Sequence, residues 1–423
     1  MLARRLVLAV PLVGLGCGAP DLPSDLGDQP EDLVRLVDSP ALVHLADALD
    51  GPGDTTVEDL FRDRPGYARA PDPSEWLAQI EADHDALPPL ADSVPLRVLT
   101  FNTGLLDRWY PFTTVRVPHV DERRVRAPAV LLDGEWDVLL LQEVWETPDV
   151  ETFAREAERR GYLLYAGSDE RHEEHGLLVL VREALVDPDG PDERAEHTFE
   201  LQRGIERFPG PGIERGFLSW TFRHAPTGVV LHLFDAHTTA FPELSPIRDS
   251  QVRHLGLAAR AVPDDEVALV AGDLNAGPYY PEDEFGSVGG ERVHGWWRNA
   301  QAHALLMHYG EVFDVLAAIG AARDVELMDQ LPPFGPVYLE EPLGDERRCE
   351  SLGGVFTATD CNSLYREQYM GTEYPARLDH MMLRDPSGLV RVDDGGVEYD
   401  ELQREGWELS DHYGIGAVLW VRR

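Results

Sequence analysis

A chain of 423 residues with 43% hydrophobic and 9% aromatic residues can bury a large core, which excludes a disordered or fibrous polypeptide. Its net charge is -40, and all 37 basic residues are arginines, so a polyanion such as duplex DNA finds no general basic surface to meet. One large catalytic domain behind an N-terminal extension is the economical organisation.

Met1 to Cys17 reads as an export signal, with Arg4 and Arg5 as the charged start, Leu6 to Leu15 as the apolar stretch, and Gly16-Cys17 closing it. The run is too short to span a bilayer. It resembles a bacterial lipoprotein signal, in which Cys17 becomes the lipidated first residue of an envelope-anchored protein, although Gly14 is an unusual residue three before the cysteine. A cleaved signal with a secreted product and a buried N-terminal helix are the alternatives. Residues 18–93 are acidic and rich in Pro, Gly and Asp, and form a tether with short amphipathic helices, one of them around Trp76, Leu77 and Ile80.

The catalytic domain, residues 94–423, opens with the strand Leu96 to Asn102, a helix over Asp121 to Leu132 and the buried strand Val138 to Glu143. Pro148 starts a helix that runs to Arg160. Strands at Tyr162 to Ala166, Gly176 to Val181, Gly216 to Phe222 and Val229 to His237 follow, then a helix from Pro246 to Ala261 and the strand into Asp273. A long connection, Gly277 to Ala376, contains Tyr279, Tyr280, Trp296, Trp297 and a helix near Asn299 to Ile319. It also holds Cys349 and Cys361, separated by eleven residues, which suit a disulfide in an oxidising compartment; such a loop would contribute about 3 kcal/mol. No Cys or His spacing supports zinc. The strands Arg377 to Leu383 and Gly414 to Val421, with Leu409 to His412 between them, close the chain. Strands that alternate with helices and hairpins predict a layered α/β domain.

The centre of this organisation is Leu269-Val270-Ala271-Gly272-Asp273-Leu274-Asn275, an apolar strand whose tip projects a carboxylate and an amide two residues apart. Alone, Asp-x-Asn is as well explained by an Asx turn. Other apolar strands end in the same manner, at Asn102, Glu143, His237, Asp379 and Asp411-His412, and such a ring of tips builds sites in open sheets. Glu143 suits an anionic ligand to Mg²⁺, and Asn102 a neutral oxygen ligand or a phosphate contact. Asp379 among apolar neighbours needs a partner, and His412 is the natural one: oriented by Asp379, it would deprotonate the attacking water. Asp273 and Asn275 would hold that water and a phosphoryl oxygen, His237 would donate to charge on the phosphate, and Asp411 would serve the metal or orient a neighbour. Taken singly, each residue has a structural explanation as a cap, a turn or a hydrogen-bonded core histidine.

The ordered motifs Leu-Thr-Phe-Asn102, Leu-Gln-Glu143-Val-Trp, Asp-Ala-His237, Gly-Asp273-Leu-Asn275, Leu-Asp379-His and Ser-Asp411-His412 resemble the endonuclease/exonuclease/phosphatase family from about residue 95 onward. The resemblance implies a four-layer α/β sandwich, two packed mixed sheets flanked by helices, that hydrolyses phosphate esters with Mg²⁺, or with Mn²⁺ or Ca²⁺ in its place. It also implies Glu143 and Asn102 at the metal and phosphate positions, Asp273 and Asn275 as the water-orienting pair, Asp379 with His412 as the acid and base dyad, and His237 facing that dyad across the phosphate, while the strand-tip reading adds Asp411 at the metal. Within the family, Leu-Gln-Glu143-Val-Trp, Gly216-Phe217-Leu218-Ser219-Trp220 and Ser-Asp411-His412-Tyr413 are similar to neutral, bacterial-type sphingomyelinases, from which His380 in place of a tyrosine and Thr238 in place of a leucine depart.

Three functions follow from this resemblance. The first is a monomeric Mg²⁺ phosphodiesterase acting on a phospholipid headgroup, sphingomyelin by preference, held at a membrane by its lipid anchor, with the inserted aromatics either at the interface or in local packing. The second is an extracellular nuclease, disfavoured by the net charge unless Arg123, Arg124 and Arg126 border the cleft. The third is an inactive surface binding protein.

Overall fold

The structure, a computed structural model, describes residues 73–87, 91–110, 113–168, 175–199, 214–240, 245–277, 286–288, 291–293, 297–321, 357–358, 362–369, 376–404 and 406–423. Cys17, Cys349, Cys361, Tyr279, Tyr280 and Trp296 lie outside them, and of Trp297 only the backbone is described. Two compact units divide the chain: Met1–Ala70 with Phe285–His294, and Pro71–Glu284 with Gly295–Arg423.

In chain order the elements are α1 (Pro73–Asp85), β1 (Ser93–Asn102), β2 (Asp107–Tyr110), β3 (Thr113–Arg116), α2 (Val120–Asp133), β4 (Val138–Gln142), α3 (Thr147–Arg160), β5 (Tyr162–Tyr165) and β6 (Leu178–Arg182). A second group comprises β7 (Asp192–Thr198), β8 (Gly216–Arg223), β9 (Val230–His237), α4 (Ser245–Arg260) and β10 (Val267–Asp273). After the short pair β11 (Gly286–Val288) and β12 (Glu291–Val293) come α5 (Trp297–Gly310), β13 (Phe313–Asp314), α6 (Val315–Ala318), α7 (Ser363–Tyr369), β14 (Asp379–Arg384), β15 (Val390–Glu398) and β16 (Gly414–Arg422). The pair β11 and β12 is what is described of the first unit, and every other element belongs to the second.

Two six-stranded mixed sheets form the body, ordered β15-β16-β1-β4-β6-β5 and β13-β14-β10-β9-β8-β7. The alternation of strand side chains explains the layering. Leu99 and Phe101 of β1, Leu139 and Leu141 of β4, and Leu178 and Leu180 of β6 pack into a core with Ala127, Leu131, Phe153 and Ala157 of α2 and α3. Their alternates, Thr100, Asn102 and Gln142, turn to the second sheet, where Gln142 Nε2 donates to Asp235 Oδ1 at 2.6 Å and Asn102 Nδ2 to Asp273 Oδ2 at 2.9 Å. Helices α4 and α5 lie against one another beside the second sheet, so the four-layer sandwich read from the sequence is the fold. All five residues of β4 and all seven of β10 are buried, as expected for continuous apolar runs inside a sheet covered on both faces.

Two expectations about elements are corrected. The helix placed over Asn299 to Ile319 breaks after Gly310: Glu311 takes a left-handed backbone (φ 50°), β13 intervenes, and Asp314 then caps α6 by accepting from Leu316 N and Ala317 N. Asp379, Asp411 and His412 do not end strands. Asp379 opens β14, and Asp411 and His412 lie in the loop before β16. These two strands run antiparallel to β10 and β1, so their starts lie at the same end of the sandwich as the ends of β10 and β1.

Candidate active site

Strand register assembles the site. Gly216 pairs with His237, His237 with Asp273, and Asp273 with Asp379, so three of the expected residues stand in one row across the second sheet. Facing them on the first sheet, Asn102 pairs with Gln142 one residue before Glu143, and Glu143 leaves the strand with a left-handed φ of 60°. Such a backbone at a non-glycine residue is a costly geometry that sites tolerate. Asn275 is also left-handed, φ 46°, and its Nδ2 donates to Thr238 O at 3.1 Å, which leaves Oδ1 for a ligand.

Across the row, His412 Nδ1 donates to Asp379 Oδ2 at 2.8 Å, and both residues are buried. The proton on Nδ1 leaves Nε2 as the ring's outward nitrogen. Burial opposes charge on this ring, but the Coulombic field and hydrogen bond of Asp379, with Asp273 and Asp411 nearby, outweigh it and hold His412 well above the usual imidazole range. His237 behaves oppositely: burial, then the positive charges of Arg215 and His412, hold it well below that range, so it is neutral. Its Nδ1 has no partner among the described residues, and its Nε2 lies 3.4 Å from Asp273 Oδ2. Asp273 accepts from Asn102 Nδ2 and, at 2.9 Å, from Asn275 N, while burial and then the charge of Asp379 push it up to about 6.

Glu143 and Asp411 form the complementary anionic group. Burial, and next the Asp411 carboxylate, push Glu143 up to about 7. Two carboxylates whose charges act on one another, Asp411 buried and Glu143 half-buried, fit a hard divalent cation, which would remove their mutual repulsion, and Asn102 Oδ1, which accepts from Gly104 N at 3.0 Å, keeps a second lone pair for it. Gly104 is required here: with φ 56°, a Cβ on it would stand 2.3 Å from Asp411 Oδ1. Two groups of side chains lie close enough to hold an ion: Asp273, Asp379 and His412, which is the dyad with its neighbour, and His303, Asp314 and His380. In the second, the carboxylate is already occupied, by Arg377 Nη2 at 2.9 Å on Oδ2 and by the α6 amides on Oδ1, which disfavours a cation.

All eight expected site residues converge at one end of the sandwich. The arginine cluster does not make a basic patch. Arg123 is buried and donates to the carbonyls of Pro118, Thr103, Leu409 and Gly104, while Arg124 faces Asp107, Asp121 and Asp149. Arg126 reaches Gln403 at 3.5 Å. The departures from the sphingomyelinase pattern also find structural partners. Thr238 Oγ1 donates to Leu274 O, and His380 Nε2 reaches Ala276 O at 2.6 Å and Arg377 O at 2.8 Å, which fastens the segments holding Asn275 and Asp379.

Two participants have no signal in the sequence. Arg215, with its Cζ 5.9 Å from the Trp145 ring centroid, supplies positive charge to Glu143 and His237; only its place directly before the Gly216 strand could have suggested it. Thr357 sits far from every motif, and its hydroxyl oxygen accepts from both Leu378 N and Asp379 N.

No curated protein sequence matches the chain. Among solved structures it is similar to TDP2 from Caenorhabditis elegans, at 15% identity over 93% of this chain and 92% of that one, with a TM-score of 0.50. It is also similar to SmcL, at 15% identity over 77% and 99%, TM-score 0.45, and to a beta toxin from Staphylococcus aureus, at 13% over 76% and 99%, TM-score 0.45. At such identities the likeness to TDP2 is one of fold. The family model described as Endonuclease/Exonuclease/phosphatase matches residues 99–412, a span that runs from the first strand tip to the histidine of the dyad. The chain therefore belongs to the endonuclease/exonuclease/phosphatase family and is a metal-dependent phosphoric diester hydrolase.

Proposed function

We propose that the chain is a Mg²⁺-dependent phosphodiesterase that hydrolyses a phospholipid headgroup ester, sphingomyelin by preference, at the cell surface. The observation that carries the chemistry is the buried His412–Asp379 pair, at 2.8 Å, on the level of Asp273 and His237. Glu143 and Asp411, with Asn102, would hold the Mg²⁺ ion, which when bound would offset charge on the phosphoryl oxygens. Water lying between Asn275 Oδ1 and His412 loses its proton to His412 Nε2 as its oxygen bonds to phosphorus and the P–O ester bond breaks, and the departing alkoxide takes up a proton from solvent while His412 returns its own. Asp379 keeps the ring in the required tautomer and compensates the charge it gains. His237, held neutral, would place Nε2, which lies 3.4 Å from Asp273 Oδ2, beside the phosphate, and Arg215 would add positive charge on the same side.

Substrate choice rests on charge and on sequence likeness. Among the described residues the arginine cluster near the site is already committed, Arg123 to carbonyls and Arg124 to carboxylates, in a chain of net charge -40. That surface suits a zwitterionic headgroup better than a polynucleotide. The motifs around Glu143, Trp220 and His412 are those similar to sphingomyelinases. Residues 1–17 as a lipoprotein signal ending in Cys17, and 18–93 as a tether to the catalytic domain at 94–423, would hold the enzyme against a membrane, and a Cys349–Cys361 disulfide fits that exported setting.

The test offers sphingomyelin vesicles and linear DNA side by side to the full chain, with Mg²⁺ and with chelator. Chelator-sensitive release of phosphocholine is expected. DNA cleavage alone would keep the active site and make the enzyme a nuclease.

A further inference from the structure

The loop that carries Asp411 and His412 and the strand that carries Asp379 come from different sheets, so the geometry of the dyad depends on what joins them. The segment around Thr357 does so. Its Oγ1 accepts from Leu378 N at 3.0 Å and Asp379 N at 3.1 Å. Its carbonyl oxygen accepts from Tyr413 N, the residue after His412, at 2.8 Å. Thr357 is fully buried, and its backbone is fixed in turn by the bridge between Ala358 and Ala376.

The same segment grips the His412 loop twice more. Asn362, also buried, donates from Nδ2 to Ser410 O at 2.8 Å while its Oδ1 accepts from Leu364 N and Tyr365 N at the start of α7. Ser363 N donates to Glu408 Oε1 at 3.0 Å. Three consecutive contacts thus run along residues 408–413, and one hydroxyl reaches across to Asp379.

We infer that Thr357 is the positioning residue of the dyad, with one side-chain oxygen and one carbonyl oxygen setting the Asp379 and His412 backbones at the separation the 2.8 Å contact requires, and that Asn362 supports it from the His412 side. The inference deepens the proposed reaction and rests on His412 as its base. A buried amide pair that loses its acceptor is left unsatisfied, a cost that favours a shift toward another partner, and such a shift displaces Asp379. Misplacement of about 1 Å in a catalytic group costs about 10²-fold in rate.

The experiment compares Thr357→Val, which keeps the shape and removes the oxygen, with Thr357→Ser, which keeps the oxygen. Hydrolysis of bis(4-nitrophenyl) phosphate with Mg²⁺ is read as kcat and KM separately, with hydrogen exchange at Leu378, Asp379 and Tyr413 as a second readout. Thr357→Val is expected to lower kcat by about tenfold or more with KM changed little, and to speed exchange at Leu378 and Asp379, whereas Thr357→Ser restores both. Equal kcat in wild type and Thr357→Val overturns the inference, as does a serine variant as impaired as the valine. If the valine variant does not fold, Asn362→Asp serves in its place: it keeps the α7 cap and removes the donor to Ser410, and unchanged kcat with unchanged exchange at Tyr413 overturns the inference. A wild type that hydrolyses no phosphodiester overturns the reaction, and the exchange data then still decide whether Thr357 holds the two segments.

Discussion

At the scale of single residues, the site stores charge in opposite senses on its two sides, and pH separates them. Glu143 is raised from 4.5 to about 7 by burial and by Asp411. A carboxyl raised in the folded state binds more protons there than in the unfolded chain, so it lowers stability as pH climbs from about 4.5 to about 7. A divalent cation on the same carboxylates reverses that slope, because binding then requires the proton to leave. Thermal unfolding followed across this window should show a midpoint that falls with pH in chelator and rises with pH in Mg²⁺, and Glu143→Gln should flatten both. A Mg²⁺ response that survives in the variant would place the ion elsewhere. His412 carries the second prediction. Its raised value contributes stability that is present at low pH and lost as pH rises through the folded value, and as a base it works only when neutral. Asp379→Asn should shift the acid limb of the pH-rate profile toward the ordinary imidazole value of about 6.5, measured at one Mg²⁺ concentration against the wild type, and lower kcat by about 10² to 10⁴-fold. An unmoved acid limb would show that another group is the base.

At the scale of elements, the first turn after β1 decides how Asp411 is presented. Arg123, on α2, donates to four carbonyls, and burial pulls its guanidinium down to about 10 against the attraction of Asp411 and Glu143. Arg123→Met should destabilise the fold by about 3 kcal/mol or more, because buried carbonyls of the Thr103-Gly104 turn and of Leu409 lose their donor. Denaturant unfolding checks the value, and a loss under about 1 kcal/mol would mean that water replaces the guanidinium. The tips of β1, β4, β9 and β10 were legible because each follows a buried apolar run, and a run that ends in one polar residue announces a strand end. The direction of β14 and the loop before β16 was not legible, since a motif such as Leu-Asp379-His reads alike at either end of a strand. Of the four edge strands of the two six-stranded sheets β5 was legible, and β7 was missed for a related reason. In β7, Asp192–Thr198, six of the seven side chains are polar, so no apolar alternation marks it. Thr357 was out of reach entirely: a hydroxyl that serves amides twenty-one and twenty-two residues later leaves no local pattern.

For the whole molecule, a net charge of -40 acts on every encounter. Carboxylates that are not matched by arginines repel one another across the surface, and raising ionic strength from about 0.1 M to about 1 M shortens the screening length from roughly 10 Å to roughly 3 Å. Unfolding temperature should therefore rise with added NaCl, the reverse of what a surface held by ion pairs would show. The same field sorts substrates. A zwitterionic sphingomyelin vesicle carries no net charge to be screened, so its hydrolysis should stay within about twofold over that range. Vesicles doped with anionic lipid should be cut more slowly at low salt and recover as salt is added. A protein that grips a polynucleotide through several phosphates loses binding steeply with salt, because each neutralised phosphate releases a counterion. Measuring initial rates on both vesicle types and on linear DNA across one salt series thus separates the two substrates by the sign of the slope. A steep loss of activity on DNA with added salt would reveal a basic groove and move the enzyme to the nucleases; flat rates on neutral vesicles, with rates on anionic ones that rise with salt, would tie the acidic body of the protein to its choice of a headgroup without net charge.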